Sequence, residues 1–310
     1  MTVRVLNMMG PRAHDAIAAA VPAVDVVDLR PDDELPASLA GDILFAAWLE
    51  SPVYDRLDEI GVRWMHLPGT GIDSWPGALL EGRTVTCSRG VSAIPIAEFV
   101  LAAMLAFEKR IPEVWIDKPP ARWNLAPLGE LAGATLGLVG LGGIGTAIAR
   151  RALGFDMRVV ALRRTRTAST VDGVELAFGL TDLLNAADHL VLAVPATPLT
   201  HQLLDARSFS WVKPGVHLVN IARGSLIDQD ALRDALDDGR VAHATLDCVE
   251  PEPLPEGHWL YTHPSVRLSA HVSWNSPRAF DRMVDAFVSN LRRYVAGEPL
   301  EGVVDVDEGY

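Results

Sequence analysis

A glycine-rich turn between a short apolar run and a helix-like run constrains this chain more than any other feature. Three segments surround it, an apolar strand, an alanine-rich helix and a second apolar strand, at residues 135–139, 146–153 and 157–162. The turn has the pattern G-x-G-x-x-G and contains Gly140, Gly142, Gly143, Ile144 and Gly145. The pattern predicts a dinucleotide whose pyrophosphate lies at the helix N-terminus, and a purely structural turn is the alternative.

Length and charge narrow the class of protein. The 310 residues predict two domains, and the net charge of −13 argues against nucleic acid or an anionic membrane as the main partner. The two cysteines, Cys87 and Cys248, lack the spacing of a zinc site, so we predict no metal and expect a reducing cytoplasm. The N-terminus lacks a signal-peptide pattern, and no apolar stretch approaches the length of a membrane span.

Strand-like and helix-like runs alternate on both sides of the glycine turn. This rhythm predicts an α/β fold with two doubly wound parallel sheets, in which ligands lie beyond the carboxyl ends of the strands. At one such end, Gly69, Thr70 and Gly71 follow a predicted strand at residues 63–67. Their amides could hold a carboxylate, and an ordinary turn is the alternative.

Two segments connect the predicted sheets. A long apolar helix is predicted at residues 94–110, either crossing between the domains or belonging to the core of the second domain. Residues 111–130 look irregular and carry Trp115 and Trp123, which suggest packing against another surface, such as a partner subunit.

Four side chains with catalytic potential follow predicted strands of the second sheet: Arg223, Asp247, Glu252 and His271. Hydride transfer to a carbonyl needs a cation that polarises it, an acid that protonates the oxygen, and a carboxylate that keeps this acid charged. Arginine, histidine and glutamate suit these roles. From the residues alone the choice stays open, because Glu250 stands beside Glu252, and His258 and His263 compete with His271.

The chain resembles the D-isomer-specific 2-hydroxyacid dehydrogenases over nearly its full length. Six pieces carry the resemblance, at residues 69–73, 97–99, 140–145, 219–224, 246–255 and 270–272. The resemblance implies Arg223, Glu252 and His271 as the catalytic residues, and the amides of Gly69–Gly71 as the holders of the substrate carboxylate. It implies cofactor contacts at the glycine turn and at Pro195, Thr200, Ala222 and Asp247.

The family resemblance also implies how the domains and subunits are arranged. A catalytic domain of the flavodoxin-like type begins at residues 1–97, a Rossmann cofactor domain is inserted at 98–276, and the C-terminal helix and tail at 277–310 return to the catalytic domain. Family members are commonly homodimers.

Two departures from the family pattern bear on specificity. Where many relatives carry an acidic residue for the ribose hydroxyls, this chain has Arg163 and Arg164, with Arg166 close by. Arginines accept a 2′-phosphate, so we predict NADP as the preferred cofactor, with NAD as the other; a solvated basic loop is the alternative. After His271 stands Trp274, which either lines the substrate pocket or serves packing.

These observations predict a reductase of small 2-keto acids, and the resemblance is nearest to the glyoxylate/hydroxypyruvate reductases. Three alternatives remain: a sibling enzyme such as a phosphoglycerate dehydrogenase, a non-catalytic dinucleotide-sensing protein, and an enzyme for a bulkier substrate. Formate dehydrogenases lack the glutamate partner of the histidine, so Glu252 argues against that sibling.

Overall fold

The computed structural model describes residues 2–47, 50–165, 169 and 171–306 of the chain. The chain divides into two compact units, the first formed by Met1–Val91 with Ser276–Tyr310, and the second by Ser92–Asn275. Within the described residues, no helix is both long and apolar enough to cross a membrane.

The first unit begins with alternating strands and helices. In chain order these are β1 (Arg4–Asn7), α1 (Pro11–Ala20), β2 (Asp25–Asp28), β3 (Ile43–Phe45), the 3-10 turn Pro52–Arg56, α2 (Leu57–Ile60), β4 (Trp64–Leu67), α3 (Gly77–Leu80) and β5 (Thr84–Cys87).

The second unit repeats the alternation. It contains α4 (Ala93–Glu108), β6 (Thr135–Val139), α5 (Gly143–Leu153), β7 (Arg158–Leu162), β8 (Val174–Leu176), α6 (Leu180–Ala186), β9 (His189–Leu192), α7 (Ala206–Phe209), β10 (Val216–Asn220), the 3-10 turn Gly224–Leu226, α8 (Gln229–Asp237), β11 (Val241–Leu246), the 3-10 turn Trp259–Tyr261 and β12 (Val266–Leu268). The chain then returns to the first unit in α9 (Ala279–Ala296).

In the first unit, the described strands pair in parallel in the order β2-β1-β3-β4-β5. This is the flavodoxin-like order. The C-terminal helix α9 completes the core of this unit, because Phe287 stacks on Phe45 with ring centroids 4.2 Å apart and on Trp64 at 5.4 Å.

In the second unit, the described strands pair in parallel in the order β12-β11-β10-β9-β6-β7-β8. The chain order reverses between β6 and β9, which is the switch point where doubly wound sheets bind dinucleotides. The prediction of an α/β fold with two doubly wound parallel sheets is confirmed.

The long helix α4 belongs to the second unit. Its residues Ala97, Val100, Leu101 and Met104 are buried in one apolar cluster with residues of α5 and β6. The division of the chain therefore precedes α4, whereas the boundary that the family resemblance implied, between residues 97 and 98, falls inside this helix.

Some local predictions differ from the structure. The short strand β8 was not predicted, because its three residues include Glu175 and are too few for a clear alternation. Helix α7 covers only four residues, and it begins after Asp205, whose side chain accepts a hydrogen bond from the Ser208 amide. Arg166 lies outside the described residues.

Candidate active site

The glycine turn of the second unit has the geometry that a dinucleotide requires. Gly140 has φ +103°, and a Cβ there would lie 2.4 Å from the Ala193 carbonyl oxygen. A Cβ at Gly145 would lie 2.1 Å from the Gly140 carbonyl oxygen, so α5 packs directly on the turn. At Gly142, in contrast, a Cβ would meet nothing within 4 Å. The turn and the N-terminus of α5, with Gly143 exposed and Ile144 half-buried, therefore fit a pyrophosphate.

The other residues predicted to contact the cofactor follow neighbouring strands. Arg163 and Arg164 come directly after β7, where Arg163 is half-buried and Arg164 is exposed. Pro195 and Thr200 lie in the turn after β9, and the Thr200 hydroxyl donates to the Pro195 carbonyl oxygen at 2.7 Å. Ala222 is buried after β10. All five positions lie beyond the carboxyl ends of the strands, the ligand side of such a sheet.

His271 and Glu252 are brought together from the ends of two adjacent strands. Glu252 follows β11, His271 follows β12, and His271 Nδ1 lies 2.8 Å from Glu252 Oε2. The other carboxylate oxygen of Glu252 accepts a hydrogen bond from the Val249 amide at 3.0 Å. Both side chains are 37% exposed, so the pair is held in place and still open to a ligand.

This geometry separates the pair from its rivals in the sequence. The neighbouring Glu250 is exposed, and it is Glu252 that the structure brings to His271. His263 Nε2 lies 3.3 Å from Asp237 Oδ1, and His258 Nδ1 accepts a hydrogen bond from the Leu260 amide at 3.4 Å. Each of these two histidines thus contacts a residue other than Glu252.

Asp247 fixes the backbone of the His271 loop. Its carboxylate accepts hydrogen bonds from the Val272 amide at 2.9 Å, the Ser273 amide at 3.0 Å and the Ser269 hydroxyl at 2.6 Å. The His271 amide donates to the Asp247 carbonyl oxygen at 2.9 Å. Because Asp247 is 1% exposed, the structure gives it a loop-holding role that the sequence did not predict; the predicted cofactor contact remains a prediction.

The loop holds His271 in an uncommon conformation. His271 has φ +52°, in the left-handed region that costs a non-glycine residue roughly 1 kcal/mol or more. Trp274 Nε1 donates a hydrogen bond to the His271 carbonyl oxygen at 2.9 Å, and the half-buried indole packs against the apolar cluster around α4 and α5. Trp274 therefore has a packing partner and a polar partner of its own, in addition to its predicted place in the substrate pocket.

Arg223 lies at the end of β10, on a turn that is fixed from both sides. The Asn220 side chain donates to the Arg223 carbonyl oxygen at 2.8 Å, and Arg223 Nη1 donates to the Ala222 carbonyl oxygen at 2.7 Å. A Cβ at the next residue, Gly224, would lie 2.0 Å from the Val249 carbonyl carbon. The Arg223 turn therefore packs on the segment whose Val249 amide binds Glu252.

The Gly69–Thr70–Gly71 turn belongs to the first unit. It follows β4, as predicted, and its three residues are half-buried. Its expected role in binding a carboxylate remains a prediction.

Two features near His271 were not predicted from the sequence. A cavity of about 480 Å³ in the second unit is lined by Glu252 and His271 together with apolar side chains such as Leu254 and Leu268. Cys248, buried beside Asp247, lies close to the pair. Spacing along the chain gave no signal for either, because the contributing residues come from two different strand ends.

A doubly wound sheet with an open glycine turn, and a histidine–carboxylate pair beyond its strands, define a nicotinamide-dependent oxidoreductase. The chain belongs to the D-isomer-specific 2-hydroxyacid dehydrogenase family, whose NAD binding domain matches residues 101–273. The predicted family and enzyme class are therefore confirmed.

Named relatives agree with this membership. The chain is 32% identical over 241 residues to a glycerate dehydrogenase of Methylorubrum extorquens, covering 74% of each chain. It is 28% identical over 309 residues to glyoxylate/hydroxypyruvate reductase A of Serratia proteamaculans, covering 95% of this chain and 94% of the relative. A solved structure of a D-isomer specific 2-hydroxyacid dehydrogenase from Xanthobacter autotrophicus Py2, in complex with NADPH and MES, has a TM-score of 0.86 at 28% identity, covering 100% and 99% of the two chains.

Proposed function

We propose that the protein reduces small 2-keto acids of the glyoxylate and hydroxypyruvate type to D-2-hydroxy acids. Two relatives carry the names of such enzymes, a glycerate dehydrogenase and a glyoxylate/hydroxypyruvate reductase. The observation that carries the proposal is the 2.8 Å contact between His271 Nδ1 and Glu252 Oε2. When bound, the nicotinamide cofactor supplies the hydride.

His271 acts as the proton donor. Glu252 accepts the Nδ1 proton, which orients the ring and leaves the other ring nitrogen to deliver a proton to the substrate oxygen. This arrangement needs the ring at one fixed position. The hydrogen bonds that Asp247 accepts from two loop amides, and the one that Trp274 donates to the His271 carbonyl oxygen, supply that constraint.

Arg223 binds and polarises the substrate. Its guanidinium matches a carboxylate or a carbonyl oxygen and keeps its charge at any working pH. The amides of Gly69–Gly71 bind the substrate carboxylate, and Trp274 limits the size of the substrate side chain.

Replacing Arg223 by Ala is expected to lower turnover roughly 100-fold or more, because the positive charge opposite the developing oxyanion is lost. NADPH affinity, measured by fluorescence titration, is expected to stay within about twofold, and a variant that no longer binds NADPH would contradict this role.

We also propose NADPH as the preferred cofactor, because Arg163 and Arg164 directly follow β7, the second strand of the dinucleotide unit, and arginines accept a 2′-phosphate. The Xanthobacter relative was crystallised in complex with NADPH, in line with this preference.

Initial rates test the reaction and the cofactor together. Glyoxylate, hydroxypyruvate and 3-phosphohydroxypyruvate are each supplied with NADPH and with NADH, and the chirality of the glycerate formed from hydroxypyruvate is determined. We expect fast reduction of glyoxylate to glycolate, which is achiral, and of hydroxypyruvate to D-glycerate, with NADPH favoured. Preference for 3-phosphohydroxypyruvate would move the assignment to a phosphoglycerate dehydrogenase. Cofactor binding without turnover of any keto acid would contradict the proposed reaction.

We further propose a homodimer in a reducing compartment. The segment after α4 exposes five large apolar side chains, an arrangement typical of a surface that a partner covers: Trp115, Ile116, Trp123, Leu125 and Leu128. Sedimentation equilibrium tests the dimer, and a monomer at micromolar concentration would refute it.

A further inference from the structure

Three metal-binding types of side chain converge where β11 and β12 end. One ligand atom each from Cys248, Glu252 and His271 lies within 4.8 Å of the other two. Within the described part of the chain, no other group of three histidine, cysteine or acidic residues meets this condition. Thiolate, imidazole and carboxylate are together the ligand set that Zn²⁺ prefers.

The spacing of these atoms is close to that of a tetrahedral site. Zinc bonds of about 2.0–2.3 Å place two ligand atoms roughly 3.3–3.6 Å apart. His271 Nδ1 and Glu252 Oε2 are 2.8 Å apart, and the remaining separations are at most 4.8 Å. Shifts of about an ångström therefore suffice, and Glu252 and His271 are partly exposed side chains that can make them.

A cation can reach this group from solvent. Glu252 and His271 line the cavity of about 480 Å³ described above, and both are 37% exposed. Cys248 is 1% exposed and adjoins the pair from the protein side. Three protein ligands would leave the fourth position of the metal to water, as in open zinc sites.

We propose that Cys248, Glu252 and His271 bind a thiophilic divalent cation, with Zn²⁺ as the best match, and that binding stops turnover. The metal occupies the ring and the carboxylate that proton transfer requires, so the occupied enzyme has no proton donor. The binding claim stands on the geometry alone, and the effect on turnover rests on the proposed function.

Cobalt titration of the full chain tests binding without any use of activity. Protein freed of metal with a chelator is titrated with CoCl₂ and then with ZnCl₂. We expect a thiolate-to-cobalt charge-transfer band in the near ultraviolet that Zn²⁺ removes. In Cys248→Ala and Cys248→Ser the band is lost, and the affinity for Zn²⁺ by calorimetry falls at least about 100-fold, because even outer-shell partners contribute 10–100-fold. Cys87→Ala, at the other buried cysteine, retains the band.

The reduction assay tests the effect on turnover separately. Each variant is compared with its own rate without metal, so a change in basal activity does not enter. Zn²⁺ should inhibit the parent and Cys87→Ala, and at least about 100-fold more Zn²⁺ should be needed for Cys248→Ser. A cobalt band that persists without Cys248, or is absent from the parent, would overturn the site. Tight binding to an enzyme that remains fully active would overturn the block.

Discussion

At the scale of single residues, the two glutamates of the Glu250–Pro251–Glu252 stretch form a matched pair. Glu252 contacts His271 at 2.8 Å, whereas Glu250 is exposed two residues earlier. Replacing Glu252 by Gln leaves its size unchanged and removes the charge that supports the proton donor. We expect kcat to fall on the order of 100-fold, the usual scale of acid–base assistance, with little change in NADPH affinity. Glu250→Gln is the control and should match the parent, and equal losses in both variants would contradict the role of Glu252.

Arg164 tests the basis of the cofactor preference. It is exposed directly after β7, and Arg163 beside it is half-buried. A charge-assisted contact with a 2′-phosphate is worth roughly 1.5–3 kcal/mol, or about a 10- to 100-fold change in affinity. In Arg164→Ser we expect kcat/KM for NADPH to fall by about that factor, while kcat/KM for NADH changes less than about twofold. Equal losses of kcat/KM with NADPH and with NADH would show that Arg164 does not bind the 2′-phosphate.

At the scale of elements, the loop after β12 is held by one of its own side chains, Trp274, and by Asp247, which follows β11. The Trp274 indole donates to the His271 carbonyl oxygen, and Asp247 binds the next two amides. Trp274→Phe keeps an aromatic ring in the packing and removes only the N–H donor. One such hydrogen bond is worth about 1 kcal/mol, so we expect kcat to fall about fivefold with an unchanged KM for NADPH. Trp259→Phe removes an indole N–H elsewhere in the same unit and serves as the control. A raised KM for the keto acid with an unchanged kcat would show instead that Trp274 acts on substrate binding and not on the position of His271.

The same loop shows what sequence reasoning could and could not predict. Strand ends and residue types were enough to bring Arg223, Glu252 and His271 to one side of the sheet. The left-handed conformation of His271 was not predictable, because nothing in Ser269–Trp274 requires it without the buried Asp247. Cys248 was missed because its partners are four and 23 residues away in sequence and meet only when β11 and β12 pair.

At the scale of the whole molecule, the strand–helix rhythm was sufficient to predict both sheets. Apolar runs such as Thr135–Val139 are buried along their whole length, as central parallel strands require. Short elements with a weak sequence pattern were less predictable. The edge strand β8 and the short helix α7 depend on a few local contacts, such as the Asp205 cap of α7. The contacts of polar residues inside the central strands were harder still to predict, because the register between neighbouring strands decides which residues they meet.

Three histidines form such a polar group on β9, β10 and β11. His217 pairs in register with His189 on one side and His243 on the other. His189 Nδ1 and His217 Nδ1 are 3.1 Å apart, and His217 Nε2 lies 3.0 Å from Thr245 Oγ1. Phe107 stacks on the His217 ring at 4.6 Å. A contact between two ring nitrogens needs one donor and one acceptor, so the group is stable only while a histidine remains neutral.

Because these histidines are buried, we expect the protein to lose stability in mild acid. Burial lowers the pKa of His189 from 6.5 to about 4, lowers that of His243 to about 4, and holds that of His217 well below 6.5. The unfolded chain therefore binds more protons than the folded chain below pH 6.5, so the free energy of unfolding falls as the pH drops from about 6.5 toward 4. Each fully buried histidine contributes up to about 1.4 kcal/mol per pH unit. Burial raises the pKa of Glu108, whose Oε1 lies 3.1 Å from His189 Nε2, and this acts in the opposite direction.

Urea unfolding between pH 8 and pH 5 measures this slope. The parent should show a constant free energy of unfolding above about pH 7 and a steady loss below it. His217→Gln removes the contacts of His217 with His189, Thr245 and Phe107, so its free energy of unfolding at pH 8 should be lower than that of the parent. It also removes one buried titrating group, so its loss of stability on acidification should be smaller by up to about 1.4 kcal/mol per pH unit. His201→Gln, at an exposed histidine of the same unit, should reproduce the parent slope. A parent stability that is flat between pH 7 and pH 5 would show that the histidines are not kept neutral by the fold, and the three-strand contact would then have to tolerate a charged ring.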